Sequence, residues 1–205
     1  MKKRIPGFKT LVIISFLFMP ILGKAQTDTT RYPIFDLYLE TGVHFLGNDN
    51  FNNVYNSKST INWSFGTKIG SSYWKYLPWI KFSQYQLEID SIILKDINED
   101  DLISAKRNQL SAGIINPIKI KDNNYLQLKL GISYNFISEE LTDLYSEPVG
   151  LLMSVGYMKK ISKVMTYYVD FGYDYVKTDR SKLFKDWSGV LINFGISFNP
   201  WTEEE

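Results

Sequence analysis

Residues 126–136, LQLKLGISYNF, alternate without exception between apolar and polar side chains. Successive side chains of a β-strand point to opposite faces, so this stretch predicts a strand with one apolar and one polar face. The apolar face carries Leu126, Leu128, Leu130, Ile132, Tyr134 and Phe136, and the polar face carries Gln127, Lys129, Gly131, Ser133 and Asn135.

The same pattern recurs along the rest of the chain. Seven further segments show it: 35–45, 61–73, 80–89, 110–118, 149–157, 167–175 and 190–198. The third strand is irregular, because Ile80 and Phe82 share one parity while Tyr85 and Leu87 share the other. A β-bulge near residues 83–84 would bring both pairs to one face, since one extra residue switches faces.

The connectors between the predicted strands are alternately short and long. The short ones are 75–78, 121–124 and 159–163, and the long ones are 47–58, 90–102, 138–148 and 177–187. Tight turns at one end and long loops at the other are typical of an up-and-down barrel that crosses a membrane. The sequence therefore predicts an all-β fold, an eight-stranded antiparallel up-and-down transmembrane β-barrel.

Glycine indicates which face of the barrel points inward. Ten of the 13 glycines lie within strands on the polar face: 42, 66, 70, 113, 131, 150, 156, 172, 189 and 195. Glycine weakens a strand, but the interior of an eight-stranded barrel is narrow and accepts small residues. We therefore expect a polar interior and an apolar, lipid-facing exterior. The alternative is a secreted, lipocalin-like soluble barrel that binds an apolar ligand inside.

The first 25 residues have the features of a secretory signal peptide. A basic start with Lys2, Lys3 and Arg4 precedes an apolar run over 11–22, and small residues end the segment before Gln26. This run is too short for a membrane-spanning helix, which needs about 20 apolar residues. We predict a signal peptide at 1–25, a lead-in at 26–34, the barrel at 35–198 and an acidic tail at 199–205.

Composition excludes several classes of function. Without the signal peptide the chain has 18 basic and 22 acidic residues, a net charge of −4 that offers no footprint for nucleic acid. Cysteine is absent, so disulfides cannot stabilise the fold. No metal-ligand spacing, phosphate-binding glycine loop or nucleophile elbow is present, and we expect no cofactor and no metal.

With these strands, the chain resembles the small eight-stranded outer-membrane barrels of the OmpX and OmpA-domain kind. The resemblance covers residues 32–198 and is one of pattern, without a shared family peptide. It implies residence in the outer membrane of a Gram-negative bacterium, in contact with its lipid. It also implies that the barrel-assembly machinery reads an aromatic residue at the end of the last strand, here Phe198, although the chain continues for seven residues beyond it.

Four charged residues lie on the polar face at similar distances from the turn-side ends of their strands: Glu40, Lys68, Lys129 and Asp170. An unpaired charge inside a closed barrel is costly, so we expect a balanced hydrogen-bonded network of two acids and two bases. Gln127, Asn193 and Tyr38 are its expected neighbours. Such a network would plug the interior; the alternative is a path for protons or ions.

His44 is the only histidine, and it lies on the polar face near the loop end of the first strand. Some barrels of this size are lipid-modifying enzymes that use a histidine with a serine and an acid near the outer rim. A histidine acts as a general base only with a nucleophile in hydrogen-bond reach, and the sequence beside His44 supplies none. We expect no catalytic residues and a non-enzymatic barrel with a structural or adhesion-type role.

The long loop at 90–102 is the best candidate for contact with a partner. Its apolar residues Ile92, Ile93 and Leu94 continue the third strand, and Asn98 and Asp101 supply residues that favour turns. A hairpin that rises above the membrane could offer its edge to an added strand. If the barrel has an extracellular protein partner, this loop is where we expect it to bind; the alternative is a solvated loop with no partner.

Overall fold

In the computed structural model, the described parts of the chain are residues 33–55, 57–71, 74–88, 104–139, 144–179 and 185–200. The predicted signal peptide at 1–25 and the tail residues 201–205 lie outside these ranges. So does the segment 89–103, with the five residues predicted to form the interaction hairpin. Residues 33 and 34 of the predicted lead-in already belong to the first strand.

Nine strands and one short helix make up the described chain. They are β1 (Pro33–Leu46), α1 (Asp49–Tyr55), β2 (Ser59–Ser71), β3 (Leu77–Glu88), β4 (Ser104–Lys121), β5 (Asn124–Glu139), β6 (Leu144–Ser146), β7 (Val149–Lys160), β8 (Met165–Val176) and β9 (Gly189–Phe198). β6 has three residues and pairs only with the end of β5. The other eight strands form the wall. No helix of the described ranges has the length and hydrophobicity needed to span a membrane.

The wall closes on itself. Each wall strand pairs antiparallel with the next along the chain, and β9 returns to pair with β1. The predicted eight-stranded up-and-down barrel is therefore confirmed. The paired residues can be followed from Thr41 around the barrel in both directions to β5. Through β2, β3 and β4 they lead to Phe136, whereas through β9, β8 and β7 they lead to Leu126. This ten-residue stagger over eight strands corresponds to a strand tilt of about 40°.

The apolar faces of the strands point outward. Leu128 and Leu130 are 43% and 50% exposed, whereas the Lys129 side chain between them is 12% exposed and Gly131 is buried. On β5 the outward apolar run from Leu126 to Phe136 has a height of about 25 Å at a 40° tilt. This height matches the hydrocarbon layer that outer-membrane barrels cross.

The predicted bulge in the third strand is wrong. β3 pairs with β4 residue by residue from Leu77 to Glu88, and its odd-numbered side chains all point inward. Tyr85 and Leu87 are 1% and 3% exposed, so they belong to the interior and not to the lipid-facing surface. The parity of the apolar residues changes because the interior itself becomes partly apolar toward one end of the barrel.

The two ends of the barrel differ. At the turn end, connectors 72–76, 122–123 and 161–164 are short, and Asp122 adopts a positive φ of 41° in the tightest of them. At the loop end, connectors 47–58, 89–103, 140–148 and 177–188 are long. β1 begins and β9 finishes at the turn end, as the even number of strands requires.

Candidate functional site

Two buried ion pairs cross the turn-side half of the barrel interior. Lys81 of β3 pairs with Glu40 of β1, and Lys129 of β5 pairs with Asp170 of β8. The Glu40 side chain is fully buried and the Lys129 side chain is the most accessible of the four, at 12% exposure. Each pair joins strands that are not neighbours in the wall, so the pairs reach across part of the lumen.

Neutral donors complete both carboxylates. The Tyr168 hydroxyl donates to Glu40 Oε2 at 3.0 Å, and Gln127 Nε2 donates to Asp170 Oδ1 at 2.5 Å. Lys129 Nζ also lies 4.6 Å from the centroid of the Tyr168 ring, which links the two pairs. All four carboxylate oxygens therefore have a partner, as buried charges require.

Of the four charged residues singled out in the sequence, the structure joins Lys129 directly to Asp170. Glu40 takes Lys81 as its partner. Lys68 pairs with Asp36 at 2.9 Å, nearer the turn end. The interior thus holds more charge than those four residues, arranged as separate pairs.

The expected neighbours of the network have different roles. Gln127 binds Asp170, as described above, whereas the Tyr38 hydroxyl donates to the Ile80 carbonyl at 3.3 Å. Asn193 accepts a hydrogen bond from Asn62 at 3.2 Å and lies opposite Asp170 in the β8–β9 ladder. Lys81 and Asp36 were missed by the sequence analysis, although both lie at inward parity, which was the available signal.

A second network lies in the loop-side half of the interior and was not anticipated at all. Arg107 of β4 pairs with Asp174 of β8, and both side chains are fully buried. The Arg107 Nε donates to Asn135 Oδ1 at 2.8 Å, and its guanidinium lies 4.7 Å from the Tyr85 ring centroid. Gln109 Nε2 donates to the same Asp174 oxygen at 2.9 Å. Arg107 lies outside the predicted strand at 110–118, so its inward direction could not be read from the pattern.

An apolar cluster, called here the loop-end cap, lies at the loop end of the barrel above this network. It consists of buried residues from strand ends and connectors: Leu46, Phe51, Leu87, Ala105, Ile137, Val176 and Trp187. The Phe51 ring of α1 meets the Trp187 ring edge-on at 4.8 Å between centroids. The Trp187 carbonyl accepts a hydrogen bond from Arg107 Nη1 at 3.4 Å, which ties the cap to the network beneath it.

His44 lies below the loop-end cap and is fully buried. Its ring packs against the Tyr85 ring at 5.4 Å between centroids. Within the described ranges, neither ring nitrogen has a hydrogen-bond partner. The geometry therefore places no nucleophile and no orienting acid in hydrogen-bond contact with His44 there.

Two interior glycines make room for the network. A Cβ on Gly156 would collide with the Asp170 carboxylate, and a Cβ on Gly195 would collide with the Tyr168 ring. Both residues face the lumen from strands next to β8. Their lack of a side chain lets the acid and the tyrosine lie flat against the wall, so the clustering of glycine on the polar face has a direct steric cause.

The turn-side half of the interior contains small cavities among the described residues. Two cavities of about 10 Å³ each lie there, and both are lined by Tyr38, Trp79 and Lys129. A volume of this size holds about one water molecule. Among the described residues no cluster of three or more His, Cys, Asp or Glu could hold a metal ion.

Phe198 lies at the turn end of β9, where the assembly signal was predicted. Its side chain is 42% exposed on the outer surface, and it pairs with Leu37 of β1 and Met165 of β8. The backbone continues to Asn199, whose N–H donates to the Val164 carbonyl at 2.8 Å. The residue after the strand is therefore held against the neighbouring turn.

Comparison with solved structures identifies the fold. Neisserial surface protein A (NspA) matches with a TM-score of 0.56 at 9% identity, covering 83% of this chain and 99% of that chain. Ail, the attachment invasion locus protein of Yersinia pestis in complex with the heparin analogue sucrose octasulfate, matches with a TM-score of 0.42 at 14% identity, covering 81% of this chain and 96% of that chain. The de novo designed TMB2.3 matches with a TM-score of 0.43 at 14% identity, covering 82% of this chain and 95% of that chain. No family model and no curated protein matches the sequence. The fold is that of the small outer-membrane β-barrels.

Proposed function

We propose that this chain is a non-enzymatic integral protein of the outer membrane of a Gram-negative bacterium, with a structural or surface-interaction role. The observation that carries the proposal is the apolar band about 25 Å high around a closed, polar interior. In water this band would be an exposed apolar surface far larger than soluble proteins show. In a bilayer it contacts hydrocarbon, so outer-membrane lipid is the first partner.

The proposal includes a direction across the membrane. The signal peptide at 1–25 exports the chain, the short turns remain in the periplasm and the long loops face the outside. The outward-facing aromatic ring of Phe198 at the periplasmic end of β9 is available to the barrel-assembly machinery. The lipocalin-like alternative has the opposite arrangement, with apolar side chains inside, and the outward direction of Leu128 and Leu130 disfavours it.

The interior acts as a plug rather than a conducting pore in this proposal. Two ion pairs block the turn-side half, a third pair blocks the loop-side half, and the loop-end cap lies above them. The two small cavities are too small for a hydrated ion. The protein is therefore expected to show no stable nanosiemens steps in planar bilayers, and such steps would contradict the plug.

A surface-interaction role is supported by the wall at β3, β4 and β5. Their ladder continues to the pairs Glu88–Ser104 and Ala105–Glu139, beyond Phe136 at the outer edge of the apolar band. The connector 89–103, which carries Ile92, Ile93, Leu94, Asn98 and Asp101, leaves from this raised edge. In this proposal an extracellular protein partner binds this connector.

Two experiments test these points. Fractionation with heat-modifiable gel mobility after detergent extraction should place a folded barrel in the outer membrane, whereas recovery in the soluble periplasm would refute the membrane proposal. Deletion of residues 92–101 should abolish binding of the protein to host-cell or matrix surfaces while the heat-modifiable band remains. Unchanged surface binding would exclude the connector as the contact. A lipid-modifying activity receives no support from the surroundings of His44.

A further inference from the structure

Charge is distributed unevenly between the two ends of the barrel. The β4–β5 and β7–β8 turns carry five lysines, defined here together as the lysine patch: Lys119, Lys121, Lys159, Lys160 and Lys163. The only acid on these two turns is Asp122. The loop-end connectors have the opposite balance, since 89–103 alone contains five acids and one lysine. The excess of acid over base in the chain therefore hides two basic turns.

The structure brings the two turns together. Asn124 of β5 pairs with Lys121 on one side and with Lys159 on the other, and the Lys160 N–H donates to the Asn123 carbonyl at 2.9 Å. Two strand spacings separate Lys121 from Lys159, a distance of about 10 Å between backbones. The lysine patch is thus a single surface and not two isolated turns.

Exposed aliphatic side chains lie among these lysines. Ile120 is 61% exposed, Ile161 is 54% exposed and Val164 is 45% exposed. All three are at or beyond the turn-side edge of the apolar band, which finishes near Leu126 on β5. Aliphatic side chains next to lysines are the combination that lies at the boundary between hydrocarbon and anionic headgroups.

Three of the five lysines are not neutralised by the described protein. In the described ranges no ion pair joins Lys119, Lys121 or Lys159 to a carboxylate. The interior acids are committed to interior bases, so they are not available to these lysines. The lysines lie on turns beyond Leu126, which marks the edge of the apolar band. A distance of two to four residues past Leu126 corresponds to about 5 to 10 Å beyond that edge, which is the depth of lipid headgroups.

We infer that the lysine patch binds the phosphates of anionic phospholipid headgroups in the leaflet that faces the turns. This inference rests on the proposed membrane location and deepens it by naming the lipid class. Lysine contributes a flexible point charge suited to a phosphate, and the neighbouring aliphatic side chains enter the upper acyl region. The interaction orients the barrel and favours a leaflet rich in phosphatidylglycerol over a zwitterionic one.

Native mass spectrometry of the full chain in detergent tests the inference. Dioleoyl phosphatidylglycerol and dioleoyl phosphatidylcholine are titrated separately, and retained lipid is counted for the wild type and for the triple variant Lys119→Gln, Lys121→Gln, Lys159→Gln. Each lysine near an anionic lipid surface changes the affinity about fivefold, so the triple variant should reduce the preference for phosphatidylglycerol by about a hundredfold. The matched control is Lys58→Gln, Lys177→Gln, Lys185→Gln at the loop end, which should retain it.

Three results would overturn the inference. The first is equal retention of both lipids by the wild type, and the second is an equal loss of the phosphatidylglycerol preference in the control variant. The third is a preference that appears only when the three glutamates at 203–205 are changed to glutamine. The last would assign the lysine patch to the acidic end of the chain itself. If the triple variant does not fold, a wild-type preference that is unchanged between about 0.05 and about 0.5 M salt is also contrary. Heat-modifiable mobility separates this failure from failure of the membrane proposal, which would leave no folded barrel in lipid.

Discussion

The buried pair between Lys81 and Glu40 offers the sharpest test of the interior. Lys81→Met removes the ammonium charge but keeps a long, flexible side chain of similar shape. Glu40 then retains one neutral donor, the Tyr168 hydroxyl at 3.0 Å, for a carboxylate whose side chain is fully buried. The substitution therefore isolates the energy of leaving a buried charge without its counter-ion.

The expected loss is large because the carboxylate cannot recover its hydration. Desolvation of a buried carboxylate costs several kcal/mol, and breaking a buried ion pair by removing one partner typically costs about 3–5 kcal/mol. One hydrogen bond to a charged group returns about 1.5–3 kcal/mol, but the Tyr168 bond is already present in the wild type. We predict that Lys81→Met lowers the free energy of unfolding by about 3–5 kcal/mol.

The double variant makes the reasoning specific. In Lys81→Met with Glu40→Gln no charge remains unpaired and the Gln oxygen still accepts from Tyr168, so the double variant should be more stable than Lys81→Met alone. Urea unfolding in phosphatidylcholine vesicles, followed by the fluorescence of the five tryptophans, measures all three proteins. The matched control is Lys58→Met, because Lys58 pairs with Asp49 on the surface, with the two side chains 52% and 80% exposed.

The explanation fails under either of two outcomes. One is a Lys81→Met midpoint as close to the wild type as that of Lys58→Met, which would mean that water reaches Glu40. The other is a double variant less stable than Lys81→Met alone, which would mean that the two side chains stabilise the barrel through packing and not through their charges.

Three further predictions concern the wall, the interior and the loops. Leu130→Arg, at mid-height of the apolar band, should lower the free energy of unfolding in vesicles by about 2–4 kcal/mol. Val149→Arg, at the outer edge of the band, should lower it by about 0–1 kcal/mol, and equal losses would contradict the depth assigned to the band. Gly42→Leu should abolish the heat-modifiable band, because even a Cβ there collides with the backbone of β9, and a normal band would show that the wall can move aside. The hydrogen bond from Lys58 holds the pKa of Asp49 below its usual value, so this ion pair is lost as the pH falls through that lowered pKa. Lys58→Gln should raise the pKa of Asp49 in an NMR titration, and an unchanged pKa would exclude the contact.

The sequence alone determined the architecture and the direction of its faces. Strict period-two alternation in 126–136 and its repeats, with alternating connector lengths, predicted the eight-stranded meander that the structure shows. The glycines on the polar face correctly predicted that the polar faces point into the barrel and the apolar faces point outward. These properties are local, because the side-chain direction of a strand depends only on parity.

The partners inside the barrel were decided only by the tertiary structure. Lys81 and Glu40 are 41 positions apart, and Arg107 and Asp174 are 67 apart. The ten-residue stagger of the closed sheet decides which inward side chains share a level, and no single strand contains that information. The same limit explains the wrong prediction of a bulge in β3. Tyr85 points inward because the loop-side interior, which distant strands form, is partly apolar. Local alternation cannot distinguish an apolar interior surface from a lipid-facing one.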